Sequence, residues 1–162
     1  MSHTYDYEKV TAANKWLEKD LENVLRTSIV MLHAGKMHCG VSAESLKERL
    51  VLDSKLMVAT SWVDDYGAIK ESLIDAIKYF SFEIAFFMIY GKDGDTIDIA
   101  CKNDLPAIGY MKDEAGKIRE IPSSDLQYIV IGLTKASGHR IPVVRTIYPC
   151  TEEVARRKDP AM

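Results

Sequence analysis

Two short basic segments of the sequence carry side chains that could act together on a phosphodiester. The first runs from His33 to His38 and includes Lys36. The second lies near the carboxyl end and contains His139, Arg140, Arg145, Thr146 and Tyr148. Histidine exchanges protons near neutral pH, cations stabilise charge developing on phosphorus, and an acid protonates the leaving oxygen. This set of residues is suited to metal-free cleavage of RNA, provided that the two segments meet in space.

Alternation along the closing strand, Val143–Tyr148, restricts which of these side chains share a face. Successive side chains of a strand point to opposite sides, so Arg145 should lie opposite Thr146 and Tyr148. A bulge or a strand end would break this pattern, because a bulge adds one residue to one strand. Whether Arg145 joins the two hydroxyl groups is therefore left open.

Other chemistries are poorly supported by the sequence. No glycine-rich phosphate-binding motif and no nucleophile elbow occurs. The acidic segment Gly91–Asp95 could bind calcium together with Asp98, but it is better explained as a hairpin turn. We expect Cys101 to be a small core residue, and Cys39 is next to His38 without facing it. A zinc site of His33, His38 and Cys39 would lack a visible fourth ligand. We therefore expect no metal site and no cofactor.

The elements that must position these residues change in character near Phe82. Helical spacing of apolar residues predicts a helix from about Val10 to Leu32 and a third helix from Asp64–Asp65 to Phe80. Between them, Ser42 is a candidate N-cap for a short helix, with Val41 and Leu46 as a hydrophobic staple. The apolar run Ile84–Tyr90 is typical of a buried strand or of a helix end.

After that run, β-branched and aromatic residues alternate between turn sequences. The predicted strands are Thr96–Cys101, Ala107–Lys112, Lys117–Ile121, Leu126–Thr134 and Val143–Tyr148. Helices followed by such a meander predict an α+β fold, with N-terminal helices packed on one face of a C-terminal antiparallel β-sheet.

Composition restricts the class of protein further. The chain has 162 residues, a net charge of −3 and three cysteines. This length predicts a single α+β domain over residues 1–150, followed by a charged tail over 151–162 that is either frayed or a short helix. The odd cysteine count favours a reducing, cytoplasmic setting, and no apolar run is long enough for a membrane span. The acidic balance argues against a nucleic-acid coat protein, so any RNA-binding role requires a focused basic site.

The pattern resembles the barnase/EndoU/colicin/RelE-like superfamily of ribonucleases, which occurs among bacterial toxins and phage proteins. The resemblance rests on the segment from His33 to Glu44, on the closing segment Val143–Pro149, and on the order of elements. It implies that His33 or His139 is the acid or base and that Lys36 and Arg145 contact phosphate. Thr146 and Tyr148 would be polar site residues, with His38 and Arg140 as further substrate-binding candidates.

Two functions of different classes follow from these observations. The first is a metal-independent ribonuclease that acts on RNA, with a partner or inhibitor protein. The second is a non-enzymatic interaction or oligomerising module that uses the apolar segment Ile84–Tyr90 or the helical stripe. The convergence of His, Lys, Arg, Thr and Tyr favours the first, and the acidic net charge favours the second.

Overall fold

The computed structural model describes residues 4–26 and 36–162. Its five α-helices are α1 (Tyr7–Asp20), α2 (Ala43–Leu52), α3 (Tyr66–Tyr79), α4 (Ser81–Tyr90) and α5 (Glu152–Lys158). Its six strands are β1 (Val58–Trp62), β2 (Thr96–Lys102), β3 (Ala107–Lys112), β4 (Ile118–Ile121), β5 (Tyr128–Thr134) and β6 (Val143–Cys150). Short 3-10 helices span Leu21–Arg26 and Ser123–Asp125.

The first predicted helix is present but is shorter as an α-helix than its apolar spacing suggests. Asp6 accepts a hydrogen bond from the Lys9 N–H and so caps α1, which buries Val10, Ala13 and Leu17. The chain then tightens into the 3-10 helix Leu21–Arg26. The remainder of the predicted helix, up to Leu32, and the adjacent His33 lie outside the described residues.

Two predictions for the middle helices are confirmed. Ser42 caps α2 by accepting a hydrogen bond from the Ser45 N–H, and Val41 packs in the same apolar cluster as Leu46. Asp65 caps α3, which buries the predicted stripe from Ile69 to Ile77. Both helices therefore begin where the capping chemistry of the sequence indicates.

Of the two alternatives for Ile84–Tyr90, the strand is wrong and the helix end is confirmed, since these residues belong to α4. The run shows no clear period because α4 is apolar on both sides. Ile84 and Ala85 are buried in the core, whereas Phe82 and Tyr90 are more than a third exposed. The segment Gly91–Asp95 therefore links a helix to β2 and is not a hairpin turn between strands. It is closed by the Lys92 N–H, which donates to the Asp95 carboxylate at 2.8 Å.

Strand β1 lies in a region that the sequence predicts as helical. Four of its five residues are buried, so the alternation that identifies a half-buried strand is missing. Trp62 is fully buried, and its indole N–H donates to Asn103 Oδ1 at 3.1 Å. β1 pairs antiparallel with β3, with Val58 opposite Met111 and Trp62 opposite Ala107.

This extra strand divides the predicted meander into two antiparallel sheets. Their strand orders are β1-β3-β4 and β2-β5-β6, so the α+β class is confirmed. The inner face of β2-β5-β6 packs on the main core through Ile99, Ile131 and Ile147. Its outer face is partly covered by α5, whose Ala155 packs with Val130 and Cys150. Residues 151–162, predicted as either a frayed tail or a short helix, thus contain a packed helix.

No helix in residues 4–26 and 36–162 is long and apolar enough to cross a membrane.

Candidate active site

A bulge in β6 decides how the closing strand presents its polar residues. Gly132 of β5 pairs with Thr146, and Leu133 pairs with Val144, so Arg145 is the extra residue between two pairs. Val144 and Ile147 are consequently both buried in the core, although a regular strand would place them on opposite faces. The bulge brings Arg145 and Thr146 together on the outer face. The sequence alone leaves open whether such a break in the alternation occurs.

Gly132 provides the space for this arrangement. A Cβ atom at this position would lie 2.8 Å from Thr146 Cγ2, 2.9 Å from Arg145 Nη2 and 3.0 Å from Asp98 Oδ1. The Arg145 guanidinium donates to Asp98 Oδ1 at 2.8 Å across the glycine. The absence of a side chain at position 132 therefore permits Thr146 and the Arg145–Asp98 ion pair to meet above β5.

His38 reaches the same face from the segment before α2. The backbone around it pairs with the end of β1, since the Trp62 N–H donates to the His38 carbonyl at 2.8 Å. His38 Nδ1 lies 3.0 Å from the Thr60 carbonyl oxygen. A carbonyl only accepts, so Nδ1 carries the proton of this hydrogen bond, and Nε2 holds the lone pair in the neutral ring. The ring centroid lies 5.4 Å from that of Tyr148.

Arg49 of α2 holds the backbone just before His38. Its guanidinium donates to the Met37 carbonyl at 2.7 Å and to the Lys36 carbonyl at 3.5 Å. Sequence reasoning does not single out Arg49, because a basic residue in the last turn of a helix is ordinary. Its partners are backbone atoms twelve and thirteen residues away, which only the folded chain brings near.

Together these elements form a cleft of about 450 Å³, here called the basic cleft. His38, Thr146 and Tyr148 line it together with Thr60 and Pro149. Three cations also line it, namely Lys55 from the turn before β1 and Arg157 and Lys158 from α5. No aspartate or glutamate is among the described residues that line this cleft. A chain of net charge −3 thus presents a locally positive cleft.

Tyr148 keeps its proton in this cleft. Burial raises the pKa of Tyr148 to about 12, with further increases from Cys150 and Asp98 and opposing effects from Arg157 and Arg145. The phenol is therefore neutral at physiological pH and can donate a hydrogen bond or a proton.

The other predicted site residues lie apart from the basic cleft. Arg140 stacks over the Trp16 ring at 4.1 Å and pairs with Asp20 at 3.2 Å. These two contacts attach the β5–β6 turn to α1. His139 is exposed in that turn, beyond the start of β6 at Val143. Val143 lies opposite Thr134 and Thr146 lies opposite Gly132, so the start of β6 is about 7 Å from Thr146 along the strand.

Lys36 is exposed, and His33 is not among the described residues. The two basic segments therefore meet through His38, Thr146 and Tyr148, with Arg145 adjacent.

Cys39 and Cys150 are buried and Cys101 is half-buried, which disfavours a thiolate at all three. Burial, followed by the charge of Asp65, raises the pKa of Cys39 to about 12. Burial likewise raises the pKa of Cys150 to about 12 and that of Cys101 to about 11. Within residues 4–26 and 36–162, no group of three or more His, Cys, Asp or Glu side chains is placed to hold a metal ion. Cys39 thus stays a core thiol despite its position next to His38.

Comparison with solved structures finds a similar fold. One chain of the structure titled "Crystal structure of CdiA-CT/CdiI complex from Y. kristensenii 33638" matches with a TM-score of 0.56. The match covers 72% of this chain and 97% of that chain, at 17% sequence identity. No family model matches the sequence, and no curated protein matches it. At such low identity the similarity shows the fold alone.

Proposed function

We propose that the protein is a metal-independent endoribonuclease whose reaction takes place in the basic cleft. The observation that carries this proposal is the position of the His38 ring against Tyr148, with Thr146 in the same cation-lined cleft. A proton-exchanging ring, two hydroxyl groups and cations without lining carboxylates are suited to a substrate that is anionic and reacts by proton transfer.

In the proposed reaction His38 acts as the base. Its Nε2 accepts the proton of a ribose 2′-hydroxyl while Nδ1–H is held by the Thr60 carbonyl, which fixes the tautomer. The 2′-oxygen forms a bond to phosphorus, and the bond from phosphorus to the 5′-oxygen breaks. The products are a 2′,3′-cyclic phosphate and a free 5′-hydroxyl.

Tyr148 and Thr146 act on the other side of the phosphate. The Tyr148 phenol, which burial keeps protonated, donates a proton to the departing 5′-oxygen. The Thr146 hydroxyl donates to a non-bridging oxygen. Arg145, held beside Thr146 by Asp98, contributes positive charge as the negative charge on phosphorus develops. Product release restores the proton to Tyr148 through solvent and His38.

The fold similarity supports a toxin-like role with a partner protein. The matched chain comes from a complex of CdiA-CT with CdiI, and this chain shares its fold over most of that chain's length. An endoribonuclease in a reducing compartment such as the cytoplasm would cleave the RNA of its own cell. We therefore propose an inhibitor protein that covers the basic cleft and thereby excludes RNA from it.

Incubation of the purified protein with a defined RNA in EDTA tests the proposed activity. We expect cleavage products that end in 2′,3′-cyclic phosphate, and we expect a 2′-deoxy substitution at the cut position to block that cut. A lack of cleavage, or equal cleavage of the deoxy-substituted strand, would overturn the proposal. Replacement of Thr146 by Val keeps the shape of the side chain and tests the hydroxyl separately.

A second candidate function is a protein-interaction or oligomerising module, and the surface of α4 favours it. Tyr5, Phe86 and Tyr90 form a ring cluster with centroids 4.9 to 5.0 Å apart. Phe82 and Tyr79 add exposed aromatic surface nearby in the chain. Light scattering of the parent and of Phe82→Glu tests this candidate, which predicts an oligomer that the charged variant dissociates. A monomer in both samples would contradict self-association.

A further inference from the structure

We infer that Arg157, with Lys55 and Lys158, forms a second phosphate-binding subsite at the α5 end of the basic cleft. The ligand is an RNA strand that carries at least one more phosphate than the one cleaved at His38 and Thr146. This inference rests on the proposed function, which it extends from a reaction to a substrate class: oligonucleotides in preference to dinucleoside monophosphates.

Arg157 differs from the other arginines whose side chains the structure describes. Each of those others donates to a carboxylate or to backbone carbonyls: Arg49, Arg119, Arg140, Arg145 and Arg156. Among the described residues, Arg157 has no hydrogen-bond or ion-pair partner, although it is exposed and lines the basic cleft. An unpaired guanidinium at the wall of a cleft can bind a phosphate bidentately without losing an existing partner.

The orientation of α5 about its axis places Arg157 at the basic cleft and its neighbour Arg156 away from it. Ala155 is fully buried against the outer face of β2-β5-β6, which fixes the orientation of the helix. Arg156 pairs with Glu152 one turn earlier, at 2.7 Å, and does not line the cleft. Arg157 and Lys158, one and two positions further on, do line it. Adjacent residues of one short helix thus have different environments.

The length of the cleft separates this subsite from the reacting groups. Thr146, Tyr148 and Cys150 follow one another on the same face of β6, and α5 packs at the Cys150 end. The distance from Thr146 to Cys150 is about 13 Å for four strand residues. A strand that places one phosphate at Thr146 and a further phosphate near Cys150 would bring the further phosphate to the cations of α5.

Lys55 lines the same cleft from a different part of the chain, the turn between α2 and β1. Its backbone N–H donates to Asp53 Oδ1 at 3.0 Å, which closes the turn between α2 and β1. Its ammonium group has no ion-pair partner among the described residues. Several cations that line one cleft are typical of sites that follow the backbone of a nucleic-acid strand.

Kinetics with substrates of two lengths test the subsite. We expect the parent to cleave a tetranucleotide with kcat/KM at least about 10-fold higher than a dinucleoside monophosphate of the same sequence at the cut. Arg157→Gln should lower kcat/KM for the tetranucleotide at least about five times more than for the dinucleotide, mainly through KM. Arg156→Gln is the matched control, and both substrates should react as with the parent. Equal losses on the two substrates would overturn the subsite.

Binding without cleavage distinguishes failure of the subsite from failure of the proposed function. A fluorescent 2′-deoxy oligonucleotide cannot react, and its anisotropy against salt concentration reports phosphate contacts. Arg157→Gln should weaken binding about 10-fold and reduce the salt slope by about 0.7, with Arg156→Gln unchanged. If RNA is not cleaved but this difference persists, the catalytic proposal fails and the subsite stands. If RNA is cleaved but the two variants bind alike, the subsite fails alone.

Discussion

The basic cleft has a neighbour of opposite character on the other side of α5. This second cleft, here called the acidic cleft, is larger, at about 700 Å³, and is lined by Glu120, Asp125, Glu152 and Glu153. The two clefts share Met57, Val58, Val154 and Arg157 as a common wall. Their volumes alone would favour the acidic one as a binding site. Their side chains favour the basic one, because only it combines a histidine with hydroxyl groups and unpaired cations.

The charge distribution of α5 produces part of this difference. Its first turn is acidic and its last turn is basic, which is the arrangement that complements a helix dipole. The acidic turn lines only the acidic cleft, whereas the basic turn lines the basic cleft and contributes Arg157 to both. The net charge of −3 therefore describes neither cleft, and a focused basic site can form on an acidic protein.

Replacing one tyrosine in each cleft by phenylalanine should give the largest difference in kcat between two variants. Tyr148 lines the basic cleft, and Tyr128 lines the acidic cleft, where its hydroxyl accepts from Lys102 Nζ at 2.8 Å. Tyr148→Phe should lower kcat for RNA about 100-fold, because a donor to the reacting phosphate is lost. Tyr128→Phe should change kcat less than about twofold. Equal effects would show that the two clefts do not differ in function.

Filling the space above β5 should have the next largest effect. In Gly132→Ala the new Cβ overlaps Thr146 and the Arg145–Asp98 pair. We expect a loss of about 1 to 3 kcal/mol in the free energy of unfolding and about 10-fold slower cleavage. Urea unfolding and RNA cleavage measure the two effects.

Gly67→Ala, in the first turn of α3, is the matched control for this substitution. Its Cβ would meet only Asp65 Oδ1 at 3.5 Å, an ordinary contact. We expect a gain of about 0.5 to 1 kcal/mol in unfolding free energy and unchanged cleavage, since alanine is the better helix former. A destabilised Gly67→Ala or an unperturbed Gly132→Ala would contradict the packing described above β5.

Neutralising a carboxylate of the acidic cleft should have a small effect. Glu153→Gln removes one charge from a residue that is exposed to solvent. At physiological salt the Debye length is about 8 Å, so such an exposed charge is largely screened from RNA in the basic cleft, and oligonucleotide affinity should rise less than about twofold. An increase of 10-fold or more, measured by anisotropy, would mean that RNA lies in the acidic cleft.

Alkylation of the cysteines should have the smallest effect on cleavage. A rise in pKa from 9.0 to about 12 lowers the thiolate fraction of Cys39 and Cys150 about 1,000-fold near pH 8. Thiol reagents should therefore react with the native protein far more slowly than with the unfolded chain, and cleavage should survive treatment. Rapid inactivation that RNA prevents would instead indicate a reactive thiol in the basic cleft.

Raised pKa values also make the free energy of unfolding depend on pH in the alkaline range. Tyr148 and Cys150 have raised pKa values in the folded protein, so their protonated forms are favoured by folding. This contribution is complete below about pH 9, and it is lost as the pH rises toward 12.

Local chemistry predicts much of the fold. The caps at Ser42 and Asp65, the stripe of α3 and the β3–β4 hairpin could be found because each depends on neighbouring residues. The strand β1 could not, because it buries the polar residues Thr60 and Ser61 beside apolar ones. The helix α4 could not be told from a strand, because it is apolar on more than one side and lacks a clear period. The division into two sheets follows from β1 and was missed with it.

The sequence predicts the residue types of the basic cleft better than it predicts their arrangement in space. His38, Thr146 and Tyr148 stand out as chemistry-bearing residues, but the bulge that brings Arg145 beside Thr146 depends on pairing with β5. Arg157, Lys158 and Lys55 are missed because ordinary surface cations look the same in a sequence. Their convergence depends on the docking of α5, which residues distant in the chain decide.

Cleavage of RNA in EDTA by His38→Ala and by His139→Ala tests the central claim most directly. His38 lies in the basic cleft, whereas His139 lies in the exposed β5–β6 turn. We expect His38→Ala to lower kcat/KM at least about 100-fold with its folded state retained, and His139→Ala to stay within about twofold of the parent. A fully active His38→Ala, or a loss confined to His139→Ala, would contradict the assignment of the basic cleft as the active site.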